Sequence, residues 1–129
     1  KIDIEDELVF VIGLRRNAKI DKVRVMVLID DVANGGNRVG LAYSNELFLN
    51  REKDSFEVEL KIKNHNLTKG KYILDFWVGD GDVTSTVKYY DAAYDTLTFE
   101  VATCEQRFIN EWHSYWGHNC FRDVHAVLI

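Results

Sequence analysis

Hydrophobic and polar positions alternate with a period of two along nearly the whole chain, a pattern that predicts strands and leaves little room for helices. The cleanest run is Ser55 to Ile62, with Phe56, Val58, Leu60 and Ile62 on one face and Glu57, Glu59 and Lys61 on the other. Such a strand has one wet face. Val23 to Ile29 sets Val23, Val25, Val27 and Ile29 against Arg24, Met26 and Leu28, and Glu7 to Leu14 is rich in Leu, Val, Ile and Phe. Asp30-Asp31 leads into the turn cluster Asn34-Gly35-Gly36-Asn37, after which Arg38 to Tyr43 completes a hairpin. Late in the chain Leu97, Phe99 and Val101 oppose Thr96, Thr98 and Glu100 over Asp95 to Val101. Gly79-Asp80-Gly81-Asp82 interrupts the pattern, and Val83 to Tyr90 reads equally as a loop or a short strand.

The segment Leu67-Thr-Lys-Gly70-Lys-Tyr72-Ile-Leu-Asp-Phe-Trp-Val78 joins a turn, a glycine, an aromatic anchor and an alternating strand without a gap. It predicts the corner at which an immunoglobulin-like sandwich crosses between sheets. There a tyrosine folds its hydroxyl back onto upstream backbone, and Gly70 is expected to permit the tight approach. Tyr72, Leu74, Phe76 and Val78 then face the core, while Ile73, Asp75 and Trp77 face outward. In order the segments correspond to strands B, C, C′, E, F and G. The fold expected is all-β, an immunoglobulin-like antiparallel β-sandwich forming a single domain over 1–129, with the sandwich core in 6–103. With no proline in the chain, its turns depend on Gly, Asn and Asp.

Residues 104–129 do not belong to a standard sandwich. Phe108, Trp112, Tyr115, Trp116 and Phe121 crowd aromatics together, and Phe121 to Ile129 reads as an extra apolar carboxy-terminal strand. It is expected either to pack on its own sheet or to be exchanged with a second copy, a low-cost route to a dimer.

Composition narrows the classes of function. A length of 129 residues suits one domain, and 16 Lys+Arg against 21 Asp+Glu give a net −5, which argues against nucleic acid or an anionic membrane as partner. No apolar run approaches the roughly 20 residues that span a bilayer, and the start at Lys1 is read as a piece of a longer protein. Cys104 and Cys120 are too few for a disulfide scaffold and are expected as reduced thiols. His113, His118 and Cys120 contain zinc-ligand types, but the spacing matches no structural zinc site and a turn is the default for Asp80-Gly81-Asp82, so no metal or other cofactor is expected. Asn66-Leu67-Thr68 matches a glycosylation acceptor but carries little weight alone. Paired carboxylates such as Asp80 with Asp82, or Asp91 with Asp95, keep a glycosidase on the table as the weaker class.

A sugar site needs an aromatic face for the ring and planar polar groups for its hydroxyls. If strands C, F and G lie side by side, Arg24 and Met26, Asp75 and Trp77, and Thr96 and Thr98 form one outward patch with both parts. Arg24 would also suit an acidic sugar or phosphate, through its bidentate fork. The competing reading has Trp77 and Met26 covered by the terminal segment or a partner chain, with Arg24 and Asp75 a cross-strand ion pair. Tyr89, Trp112, Tyr115 and Trp116 are further candidate ligand residues, and the last three read equally as a plug that closes the sandwich.

The ordered set Leu8-Val-Phe-Val-Ile12, Val23-Arg-Val-Met-Val-Leu-Ile29, Phe56-Glu-Val-Glu-Leu60, the Leu67–Val78 corner and Tyr94-Asp-Thr-Leu-Thr-Phe-Glu-Val101 resembles the carboxy-terminal domain of Wzt, the nucleotide-binding subunit of ABC transporters that export bacterial O-antigen polysaccharide. The resemblance covers about Leu8 to Val101. It implies a non-catalytic sandwich that recognises the capped end of the finished polysaccharide and licenses its export. It further implies a preceding ATPase domain, a homodimer with exchanged last strands, a membrane subunit as partner, and a cytoplasmic place against the inner membrane. Ligand residues vary with the glycan in similar proteins, so the site residues named above stand on the sequence alone. A structural dimerisation sandwich without ligand, and a small glycan hydrolase, are the alternatives.

Overall fold

The computed structural model describes residues 2–3, 6–17, 19–32, 36–80, 88–102, 113, 116–121 and 124–129, with only the backbone of Lys88, Tyr89 and Asp95. The strands are β1 (Leu8–Arg15), β2 (Lys22–Asp31), β3 (Asn37–Tyr43), β4 (Leu47–Phe48), β5 (Ser55–Ile62), β6 (Gly70–Asp80) and β7 (Lys88–Val101). No α-helix occurs among the described residues. All ladders between named strands are antiparallel: β1 pairs β5 in one small sheet, and the larger sheet runs β3-β2-β6-β7, with β4 also on β2. The expected all-β antiparallel sandwich is the observed fold. Between β3 and β4, Ser44 keeps the edge of β2 bonded: its N–H donates to the Val25 carbonyl at 2.9 Å, and its hydroxyl accepts from the Val25 N–H at 2.9 Å.

The inward faces are the ones the alternation assigns. Leu8, Phe10 and Leu60 from the small sheet meet Val27, Ile29, Tyr72, Leu74 and Val101 from the large one, joined by Leu67 and Cys120. Phe10 bridges the sheets through ring contacts with Phe76 at 6.0 Å and Phe99 at 6.1 Å, and Phe99 stacks on Tyr72 at 5.4 Å. Burying each large side chain here contributes about 1.5–3 kcal/mol.

At the corner, the Tyr72 hydroxyl donates to the Thr68 carbonyl at 2.7 Å, with the ring 1% exposed. Gly70 does not play the part expected of it. It lies outside the left-handed region, and an added Cβ would meet the Tyr72 ring and hydroxyl at an ordinary 3.5–3.6 Å. The tight turn is made upstream by Asn64 (φ 51) and Asn66 (φ 56), a residue type that tolerates this region because its short side chain bonds locally.

Two features depart from the alternation. β7 begins at Lys88, well before Asp95, because it slips register twice against β6: between Leu74 and Phe76, and between Val78 and Gly79. At the first slip Asp75 alone faces Tyr94, Asp95 and Thr96, and a bulge of this kind hides the period of two. The second departure is the terminal segment. Its residues 118–120 dock on the corner, through Thr68 N–H to the His118 carbonyl at 3.0 Å and Cys120 N–H to the Asn66 carbonyl at 2.7 Å. His118 Nδ1 lies 3.5 Å from the buried Asp31 carboxylate. Beyond this anchor Phe121 and Val124 to Ile129 are exposed and lie in no ladder of the single chain. Asn34, Gly35, Gly81, Asp82, residues 83–87, Cys104 and Phe108 lie outside the described residues.

Candidate functional site: the outer face of the large sheet

Cross-strand register assembles the site. Tyr43 on β3 faces Met26 on β2, Met26 faces Trp77 on β6, and Trp77 faces Ala92 on β7, so one row crosses all four strands on the face away from the core. Tyr94, projecting from the bulge, meets Trp77 edge to face with centroids 5.6 Å apart and an interplanar angle of 84°. Strands spaced about 4.8 Å apart make this row ~14 Å from β3 to β7. Tyr94 is 62% exposed, Tyr43 37% and Leu41, one row along, 48%, while Met26 forms a floor at 6%.

The adjoining row holds the polar partners. Leu41 faces Leu28, and Leu28 faces Asp75. Asp75 is buried, and it is not paired with Arg24 as the cross-strand reading has it: Arg24 stands opposite Gly79, four ladder positions away from the Leu28–Asp75 pair. Arg38 lies beside Asp75 instead, with its Nη2 3.8 Å from Asp75 Oδ2 and its Nε donating to Asp30 Oδ1 at 2.5 Å. That hydrogen bond to Asp30 raises the pKa of the Arg38 guanidinium. Arg24 Nη2 lies 3.9 Å from Glu46 Oε1, and its Nε is buried with no hydrogen-bond partner. Lys22 bridges Glu46 at 3.5 Å and Asp80 at 4.0 Å.

Of the residues expected from sequence, Arg24, Asp75 and Trp77 share this face, and Thr96 lies beside it. The Thr96 hydroxyl donates to the Leu74 carbonyl at 3.1 Å, so it closes the bulge. Trp116 makes its ring contact with His113 at 4.6 Å and leads into the segment docked at the start of β6, whereas Trp77 is ~23 Å farther along that strand. Trp112 and Tyr115 lie outside the described residues, as does the Tyr89 side chain. Sequence reasoning missed Tyr43, Tyr94 and Arg38. Tyr43 was legible once Arg38 to Tyr43 was paired with β2, and Tyr94 by continuing the outward phase of Thr98 and Thr96 two residues further.

A second concavity opens between the sheets at the end of the sandwich, a cleft of about 350 Å³ lined by Leu14, Val23, Phe56, Val78, Tyr90 and Asp91, among others. The Tyr90 hydroxyl, 3.4 Å from Asp80, has its pKa raised by partial burial and by that carboxylate. The neighbouring hollow of about 770 Å³ is built around Arg16. This guanidinium donates to the carbonyls of Ile20 (3.3 Å), Asn50 (3.0 Å), Arg51 (2.9 Å) and Lys53, and sits 5.6 Å from the Phe56 ring centroid. It ties two loops together, with its Nη2 wholly engaged by backbone carbonyls. Among the described residues no three His, Cys, Asp or Glu side chains converge as metal ligands, and no helix is long and apolar enough to cross a membrane.

Comparison with known proteins places this geometry in a family. A crystal structure of the C-terminal domain of Wzt superposes with a TM-score of 0.72 over 98% of this chain and 73% of that chain, at 16% identity, a likeness in fold. None of the curated proteins compared with the chain matches it. The profile of the Wzt C-terminal domain matches residues 1–110. The chain therefore belongs to the Wzt C-terminal domain family, the carbohydrate-binding modules of O-antigen ABC transporters.

Proposed function

We propose that this domain recognises the terminal, capped end of a bacterial O-antigen polysaccharide on the outer face of the large sheet, without turnover, and thereby licenses export. The observation that carries the reading is the row Tyr43–Met26–Trp77 with Tyr94 set against the indole. It offers flat aromatic surface for the C–H faces of a sugar beside polar groups able to orient hydroxyls. Arg24 Nε, a buried donor with no hydrogen-bond partner, is a group that a glycan oxygen would satisfy. In this reading the domain acts beside an ATPase domain and a membrane subunit, on the cytoplasmic side of the inner membrane.

Titration with O-polysaccharides of defined terminal sugars, followed by Trp fluorescence, tests it. Saturable quenching or enhancement without release of reducing ends is expected. A response that survives loss of both Trp77 and Tyr94, or release of reducing ends, would overturn the reading.

A second element concerns assembly. Val124, Val127, Leu128 and Ile129 are 72–122% exposed, and β1 and β5 form a sheet of only two strands. Two strands are marginal alone, and open edges attract a further strand. The proposal is a homodimer in which each tail pairs with the partner copy, with paired sites raising avidity for a long glycan. A dimer mass in solution is expected, and a monomer at working concentration would exclude it.

A further inference from the structure

A tyrosine that serves the fold commits its hydroxyl within it, as Tyr72 does on the Thr68 carbonyl and Tyr90 on Asp80. Tyr43 and Tyr94 do not. Both rings stand on the outer face, 37% and 62% exposed, and among the described residues neither hydroxyl has a hydrogen-bond partner. A large ring left open to water with its polar end uncommitted is characteristic of recognition surfaces, because it offers flat apolar area and a hydrogen bond at small cost in side-chain entropy.

These two rings stand at opposite ends of the row. Tyr43 is on β3 and Tyr94 on β7, three strand spacings or ~14 Å apart across the sheet, with Met26 and Trp77 between them. The two ends differ in shape. Trp77 and Tyr94 cross at 84° and make a corner of two walls, whereas Leu41, two residues before Tyr43 on the same strand face and 48% exposed, widens Tyr43 into a flat platform. A pyranose is about as wide as one aromatic ring, so no single sugar lies on both ends. The sugar at a chain end is linked on one side only and has more surface to give than an internal one, which suits it to the corner. The sugars behind it then cross Met26 and reach Tyr43 on the outermost strand of the described sheet, where the polymer runs on into solvent.

We infer that Tyr43, with Leu41, forms a second sugar subsite across the sheet from the Trp77–Tyr94 corner, so that the domain reads the terminal sugar together with the sugars that follow it. This rests on the glycan-binding reading of the same face and adds the extent of the ligand to it.

The probes are the terminal disaccharide and the terminal tetrasaccharide of an O-polysaccharide to which the chain responds in Trp fluorescence, each titrated calorimetrically into the 129-residue chain. The tetrasaccharide is expected to bind about tenfold more tightly than the disaccharide, the gain of one further aromatic contact. Tyr43→Ala is expected to abolish that gain and bring the tetrasaccharide down to the level of the disaccharide. Tyr94→Ala is expected to weaken both fragments and leave their ratio within about twofold. Should Tyr43→Ala fail to fold, Tyr43→Thr removes the ring while keeping strand propensity, thermal melting showing which variant is native. A disaccharide that binds as tightly as the tetrasaccharide, or a native Tyr43 variant whose tetrasaccharide affinity stays within about twofold of the parent, overturns the inference while the glycan reading stands. Silence to every O-polysaccharide tested overturns the glycan reading itself, and the inference with it.

Discussion

Trp77 and Tyr94 meet edge to face at 5.6 Å although the register slip after Leu74 sets them two residues out of direct pairing. The slip places Ala92, which offers a glycan nothing to stack on, directly opposite Trp77, so Tyr94 reaches the indole from the diagonal position. Tyr94→Ala removes a ring that is 62% exposed, so stability should change by less than about 0.5 kcal/mol. Glycan affinity should fall about tenfold, the loss of an aromatic contact of roughly 1.4 kcal/mol. Calorimetric titration beside a thermal melt reads both, and unchanged affinity would remove Tyr94 from the site.

The corner responds to pH in a defined direction. Burial raises the pKa of the Tyr72 hydroxyl, offset in part by its hydrogen bond to Thr68 and reinforced by Asp31. The folded chain therefore holds this proton more tightly than the unfolded chain does. The resulting stability is whole below about pH 10 and is lost as pH rises beyond it. Tyr72→Phe should cost about 1–3 kcal/mol at neutral pH, by stranding the buried Thr68 carbonyl, and should flatten the alkaline decline in denaturant midpoint. Gly70→Ala is expected to stay within about 1 kcal/mol of the parent, since its φ and surroundings accept a Cβ.

Arg16 acts as a collar for the loops that follow β1 and precede β5. Arg16→Ala strands carbonyls of residues 20, 50, 51 and 53 together, and about 1–3 kcal/mol of stability should go with them. Arg16→Lys should recover little, because an ammonium cannot reproduce the planar fork. Neither change should alter glycan affinity, and urea melts paired with binding curves would show whether the loops bear on the site.

Deleting Val124 to Ile129 should leave the thermal midpoint of the monomer unchanged, because those residues contribute no ladder or core contact in the single chain. If tails pair between copies, the same deletion abolishes the dimer in a sedimentation or mass measurement. A dimer that persists would place the interface elsewhere.

Much of the fold was legible because a strand with one wet face writes its orientation into alternate residues. Phe56, Val58, Leu60 and Ile62 face inward as the period requires, and the phase set by Tyr72 assigned Asp75 and Trp77 outward correctly. What could not be read was whatever depends on register between strands. Alternation places Arg24 and Asp75 on one face without saying that Arg24 falls opposite Gly79 and Asp75 opposite Leu28. The two-residue slip at Asp75 keeps the outward phase of Tyr94 but changes which residue of β7 falls opposite Trp77, so the Trp77–Ala92 pairing was hidden together with the start of β7. The glycine at the corner was misassigned for a related reason: left-handed backbone belongs to Asn64 and Asn66, and asparagine signals it less distinctly than glycine.

The same bulge bears on how such a domain can diversify. Its extra residues are held by the Thr96 hydroxyl on the Leu74 carbonyl and lie outside the ladder that positions Leu74, Phe76 and Leu97. An insertion, deletion or exchange at Tyr94 or Asp95 therefore alters what stands over Trp77 without shifting the pairing on either side. Selection for a new glycan can act there as on a loop, although the residues sit in the middle of a strand, and the sandwich beneath has no reason to change with it.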